Sequence, residues 1–186
     1  MSEHTPPLPG APGVKARRQA MLRVDHAGEY GAVRIYQGQL AVLGRPAATA
    51  ETAEKIREMA AGEQRHLETF DRMLVETGTR PTALRPLWDI AGFALGAATA
   101  LMGERAAMAC TAAVEEVIDH HYAEQAEALG GHDQELLGIV EEFRADEAQH
   151  RQTALDAGAE EAPGYKLLSA VIKAGCRAAI KLSEKI

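Results

Sequence analysis

Apolar residues recur at spacings of three and four along four stretches of the chain, and each stretch reads as one buried helix face. Leu22, His26, Glu29, Val33, Tyr36 and Leu40 form the first stripe, in a helix predicted from about Lys15 to Leu43 and ended by Gly44-Arg45-Pro46. Ile56, Met59, Glu63, His66, Phe70 and Met73 form the second, over roughly Ala50 to Thr77, with Gly78 and Pro81 as stops. Met108, Thr111, Glu115, Ile118 and Tyr122 mark the third, from about Gly103 to Leu129. Leu136, Val140, Phe143, Glu147, His150 and Ala154 mark the fourth, from about Asp133 to Ala157. Four such helices predict an all-α fold in which the stripes meet in one bundle.

Polar residues interrupt every stripe, and they do so in a repeated order. A single glutamate, Glu29, is followed by Glu63-Gln-Arg-His66; a second, Glu115, is followed by Glu147-Ala-Gln-His150. A tyrosine stands seven residues after each single glutamate (Tyr36, Tyr122) and a glutamine ten after it (Gln39, Gln125). Equivalent positions lie 86 and 84 residues apart, as duplication of a helical hairpin would leave them.

A glutamate on a buried face is costly, because an unpaired carboxylate there loses hydration or takes up a proton. Four in register remove that cost together if they surround divalent cations, and a histidine three residues on shares the glutamate's side of the helix. A lone Glu-x-x-His reads equally well as a solvated face. Two copies in phase with their stripes, each preceded by a core glutamate, match the ligand set of a dimetal carboxylate bundle. The expected ligands are Glu29, Glu63, His66, Glu115, Glu147 and His150. Glu58 and Glu142 rotate off their stripes. The choice of Glu115 over Glu116 rests on the Met108, Thr111 and Tyr122 face and on the repeat. Asp25, Asp119, His121, Tyr36 and Tyr122 lie near the site by spacing, where they would orient a ligand; packing with a satisfied hydroxyl fits the tyrosines equally. His26 reads as packing or as a support to a ligand.

Composition adds exclusions. Net charge is −7 with no aromatic-basic cluster, which disfavours nucleic acid as a partner. Cys110 and Cys176 have no metal or redox spacing and read as small buried residues of a reducing compartment. Met1–Val14, rich in Pro and Gly, reads as a disordered tail without the features of a secretory or transit signal, leaving 15–186 as one domain.

Two further segments carry hydrophobicity that the stripes do not use. Leu87–Met102 has one charge in sixteen residues, too short for a membrane span of about 20 residues. Tyr165–Ile186 sets Lys166, Lys173, Arg177 and Lys181 on one face and Leu168, Val171, Ile172, Ala179 and Ile180 over the rest. Together they predict a helix pair lying in an anionic membrane interface, against the plainer reading of extra helices closing the bundle.

The segments Val24-Asp-His-Ala-Gly-Glu-Tyr-Gly-Ala32, Ala106-Ala-Met-Ala-Cys-Thr-Ala-Ala-Val-Glu-Glu116, His120-His121-Tyr122 and Ala174-Gly-Cys-Arg-Ala-Ala-Ile-Lys-Leu-Ser-Glu184 are more distinctive than the Glu-x-x-His pairs. Through them the chain, from about Arg23 to Ile186, resembles the 5-demethoxyubiquinol hydroxylase family of ubiquinone biosynthesis. The resemblance implies a ferritin-like bundle with a long crossover, two iron ions on the six residues above, and O₂-dependent hydroxylation of a polyprenylated demethoxyquinol ring. It implies electrons from the quinol or from NADH; no Gly-x-Gly-x-x-Gly is present to hold a nicotinamide stably. It implies a peripheral protein of a membrane surface, on the cytoplasmic face of the inner membrane in a bacterium. A homo-oligomer and association with other ubiquinone-biosynthesis proteins stay open. A ferroxidase, a manganese catalase or a rubrerythrin-like protein would use a similar ligand cage, but the apolar 87–102 segment disfavours the first, and rubredoxin-type cysteine pairs are missing for the last.

Overall fold

The computed structural model describes residues 13–186, so the expected tail lies outside the described residues except for Gly13 and Val14, which cap and open the first helix. Six α-helices follow: α1 (Val14–Leu43), α2 (Ala50–Thr77), α3 (Arg85–Leu101), α4 (Glu104–Leu129), α5 (Gln134–Asp156) and α6 (Tyr165–Ser183). Short 3₁₀ turns at Ala47–Thr49 and Ala159–Glu161 link two of the connections. There is no strand among the described residues.

Local chemistry sets the ends. Gly78 takes a left-handed φ of 63°, and its N–H reaches back to the last carbonyls of α2, a closure that costs a side chain but not glycine. Asp133 caps α5 by accepting from the Leu136 N–H. Pro86 occupies the first turn of α3, where its missing N–H is no loss.

The core lies in two apolar layers with the carboxylates and histidines between them. One layer joins Leu22, Phe70, Met73, Leu136, Val140 and Phe143. The other joins Leu43, Ile56, Met59, Met108 and Ala154. Following these residues along each helix, α1 and α5 run one way and α2 and α4 the other. The parallel pair α2 and α4 therefore needs a return crossing, and α3 supplies it. The segment read from sequence as an apolar link is this helix, and the structure is the expected all-α bundle with a long crossover.

α3 packs mainly on α1, and the approach is close. A Cβ at Gly96 would collide with the Ile35 carbonyl, and one at Gly38 with the Phe93 carbonyl. Glycine at these two places is what lets the crossover lie against the bundle. α6 packs on α4 and is tied to α3 by Trp88 Nε1 donating to Ser183 Oγ at 3.1 Å.

Candidate metal centre

The bundle brings all six expected ligands together in the middle layer. Glu29 comes from α1, Glu63 and His66 from α2, Glu115 from α4, Glu147 and His150 from α5. Five of them are at most 1% exposed, and His150 keeps 12% of its side chain in contact with solvent. Their ligand atoms form two overlapping groups, each within 4.8 Å: Glu29, Glu63, His66 and Glu147, then Glu63, Glu115, Glu147 and His150. Glu63 and Glu147 belong to both groups.

The inner atoms crowd one another. His66 Nδ1 lies 3.4 Å from Glu29, 3.2 Å from Glu147 and 3.9 Å from Glu63; His150 Nδ1 lies 2.8 Å from Glu63 and 3.4 Å from Glu147. Despite these close approaches, Glu29 Oε2, one oxygen of Glu115, both oxygens of Glu63 and Glu147 and both Nδ1 atoms lack a hydrogen-bond partner. Buried polar atoms are seldom left so, and here they converge on one point. The donor set, carboxylate oxygen with imidazole nitrogen, suits a divalent transition metal.

The protonation balance says the same. Burial, and then the charges of Glu147, Glu115 and Glu29, push Glu63 far above the usual carboxylate range. Burial and the Glu147 charge do the same to Glu115, and burial raises Glu147. For His66, burial alone would favour the neutral ring, but the close carboxylates of Glu147 and Glu29 outweigh it and push the imidazolium up to about 10. Without metal the fold keeps protons that the unfolded chain gives up. Carboxylates with raised values stabilise fully below their ordinary value of 4.5 and lose that stability as pH rises through the raised values. His66 acts in the same sense, from 6.5 upward to about 10. Metal reverses the sign, because the ligands must shed protons to bind it. Calorimetry should therefore show Tm falling from about pH 5 to about pH 8 for metal-stripped protein and rising for metal-loaded protein. Parallel slopes would contradict the metal reading.

Around the cluster, side chains from neighbouring helices hold the carboxylates. Tyr36 donates to Glu115 Oε1 at 2.6 Å, and Tyr122 donates to Glu29 Oε1. The two tyrosines of the repeat thus exchange partners between the halves. Asp25 accepts from Gln125 at 2.8 Å and lies 3.1 Å from His121 Nε2, which closes the α1–α4 side. His26 is buried against Asp71 at 3.0 Å. Asp119, expected near the site, instead pairs with Arg144 at 2.7 Å on the outer side of α4. Glu116 likewise turns outward to Lys173 at 2.6 Å and Arg151 at 3.1 Å. The sequence reading missed Asp146, which meets His66 Nε2 at 3.0 Å; its only signal was its place beside Glu147.

Beside the cluster a cavity of about 430 Å³ opens between α1, α3, α4 and α6. Gly28 and Ala32 flank Glu29 on its wall, and Val114 and Ile118 flank Glu115. Apart from Asp25, His121, Tyr122, Trp88 and Ser183, its lining is apolar or glycine. Tyr122 lies between this space and Glu29. Val171 lines the cavity and is 62% exposed, so the apolar wall continues onto the outer surface.

Comparison with known proteins agrees with this arrangement. The model of the family described as ubiquinone biosynthesis protein COQ7 matches residues 16–183. A Rhodospirillum rubrum protein named 3-demethoxyubiquinol 3-hydroxylase is 51% identical over 96% of this chain and 83% of its own length. The human NADPH-dependent 3-demethoxyubiquinone 3-hydroxylase is 49% identical over 92% of the chain and 79% of its own. The yeast 5-demethoxyubiquinone hydroxylase is 35% identical over 89% and 77%. With the matched region running through every helix and every residue of the cluster, the chain belongs to the COQ7 family of ubiquinone biosynthesis proteins.

Proposed function

We propose that this chain is a di-iron monooxygenase that hydroxylates the ring of a polyprenylated demethoxyubiquinol with O₂. The observation that carries the proposal is the adjacency of two overlapping ligand sets to a deep apolar cavity. Glu29, Glu63, His66, Glu115, Glu147 and His150 would hold the two irons, Glu29 and His66 on one side of the cluster and Glu115 and His150 on the other. When bound, the pair supplies O₂ activation, which no side chain provides. The chain's own part is positional. The cavity takes the quinol ring toward Tyr122 and the prenyl chain toward α3 and α6, and its apolar walls keep water away from the reacting carbon. His121, held by Asp25, and Tyr122 are the polar groups on the α4 wall that would face the ring oxygens. Converting ring C–H to C–OH consumes O₂ with a pair of electrons and a pair of protons and releases water. A ferroxidase is the weaker reading, since an apolar cavity offers hydrated iron no path. Cells lacking this protein should accumulate demethoxyubiquinone, and normal ubiquinone in them would refute the assignment.

We also propose that the protein works at a membrane surface, in a bacterium the cytoplasmic face of the inner membrane. Among the described residues, no helix is long and apolar enough to cross a membrane. Leu87, Ile90 and Leu101 of α3, with Leu167, Val171 and Leu182 of α6, are large apolar side chains that stand exposed, and Val171 joins them to the cavity. A prenylated substrate could then pass from lipid to the centre without crossing water. Lys173 is occupied by Glu116, so Lys166, Arg177 and Lys181 supply the contact with anionic headgroups. Anionic liposomes should bind the protein, less tightly as salt rises, and Lys166→Glu with Arg177→Glu and Lys181→Glu should weaken binding without loss of iron. Binding unaffected by the triple change would return α6 to simple packing.

A further inference from the structure

The duplicated halves differ at one place that bears on the metal. Asp146, just before Glu147 on α5, reaches His66 Nε2 on α2 at 3.0 Å. Exchanging the halves, the residue before Glu63 on α2 should reach His150 Nε2 on α5. That residue is Gly62, and a Cβ placed there would sit 3.0 Å from His150 Nε2 and Cε1. The α2 backbone runs too close to the His150 ring for an acid at that position, so His150 has no counterpart of Asp146. His150 Nε2 has no hydrogen-bond partner among the described residues. His66 is also stacked on Phe143, ring centroids 3.9 Å apart, and is 1% exposed; His150 keeps 12% of its side chain in solvent.

We infer that the two metal positions are unequal: the one at His66 binds first and more tightly, with Asp146 as its positioning residue, and the one at His150 is the labile position. An imidazole whose Nε2–H donates to a carboxylate is locked in the tautomer that presents Nδ1, and its Nδ1 is the more basic for it. His66 Nδ1 already faces Glu29 and Glu147. His150 has neither the lock nor the stacked ring, so binding must also fix its orientation. Its exposed edge over Gly62 is where solvent comes closest to a ligand of the cluster, which places exchange of the second ion on that side. Arg65, 3.9 Å from both Asp146 and the Gly62 Cβ position, carries only donors and cannot supply the missing acceptor.

The inference rests on the metal reading of the cluster, and the test separates the two. Manganous ion is titrated into metal-free full-length protein without oxygen, followed by calorimetry and electron paramagnetic resonance. Wild-type protein should show an isolated-ion spectrum up to one equivalent and a coupled-pair spectrum only toward two. His150→Ala should leave the first binding step within about threefold, while Asp146→Ala should weaken it about 10–100-fold and His66→Ala by more. Asp146→Asn, which keeps an acceptor oxygen, should fall between wild type and Asp146→Ala. A coupled-pair spectrum from the first additions would overturn the inference, as would equal losses in His66→Ala and His150→Ala. If a variant fails to fold, the wild-type spectra decide alone. Binding of no manganese at all would instead overturn the metal reading.

Discussion

Glu115→Gln should abolish hydroxylation, by more than about 100-fold, and leave the protein short of metal, whereas Glu116→Gln should keep both within about threefold; the orienting partners of a metal site are worth about 10–100-fold, and a ligand more. The two glutamates are neighbours in sequence and differ only in direction, since adjacent side chains on a helix point about 100° apart. Glu115 is 1% exposed, accepts from Tyr36 at 2.6 Å and belongs to the second ligand group. Glutamine keeps its shape but removes a charge that two cations would require, and its amide would turn N–H groups on them. Glu116 accepts from Lys173 and Arg151 at the partly exposed face of α4. Losing such pairs costs about 0–1 kcal/mol of stability and touches no ligand. Iron analysis and quinol turnover on both variants check this, and reversed phenotypes would mean that α4 is rotated from the register described.

Filling the cavity should separate substrate binding from metal binding. A Cβ added at Gly31 or Gly175 meets nothing within 4 Å, and both positions line the cavity. Gly31→Leu or Gly175→Leu therefore puts side chain where the substrate's apolar part would lie, with no clash at the Cβ to unfold the bundle. For a prenylated demethoxyquinol, kcat/KM should fall about 10–100-fold, the scale set by a few lost methylene contacts at about 0.8 kcal/mol each. Iron content should stay normal, and a substrate analogue without the prenyl chain should lose less. Unchanged kcat/KM for the prenylated substrate would move its binding site elsewhere.

What could be read in the sequence was whatever a single helix determines about itself. The stripe through Ile56, Met59, Phe70 and Met73 places α2 to the residue, and the same periodicity sets Glu115 inward and Glu116 outward. α1 and α5 were met within one or two residues at their ends, where capping decides and periodicity is silent. The gathering of the six expected ligand residues followed because each lay on a stripe that had to face the others. What could not be read was every pairing between helices. Asp146 is half-exposed and off its stripe, so nothing in α5 alone points it at His66. Asp119 shares the α4 helix with Glu115, yet the side on which Arg144 meets it was set by how α5 packs. Lys173 has the spacing of a solvated basic face, and only the α4–α6 contact turns it to Glu116. The cavity escaped for the same reason: glycines at 28, 31, 92 and 175 come from three helices, and they make a space only after α3 has crossed over.

As the proposed monooxygenase, this bundle should insert an oxygen atom from O₂ into a demethoxyquinol ring. Purified protein loaded with ferrous iron, given a reduced prenylated demethoxyquinol and a reductant under ¹⁸O₂, tests it most directly by mass spectrometry of the quinone product. The expected product is a hydroxylated ring carrying one ¹⁸O atom, formed only when iron is present and not by Glu115→Gln. Product without the label, or no product from a protein shown to hold its full complement of iron, would contradict it.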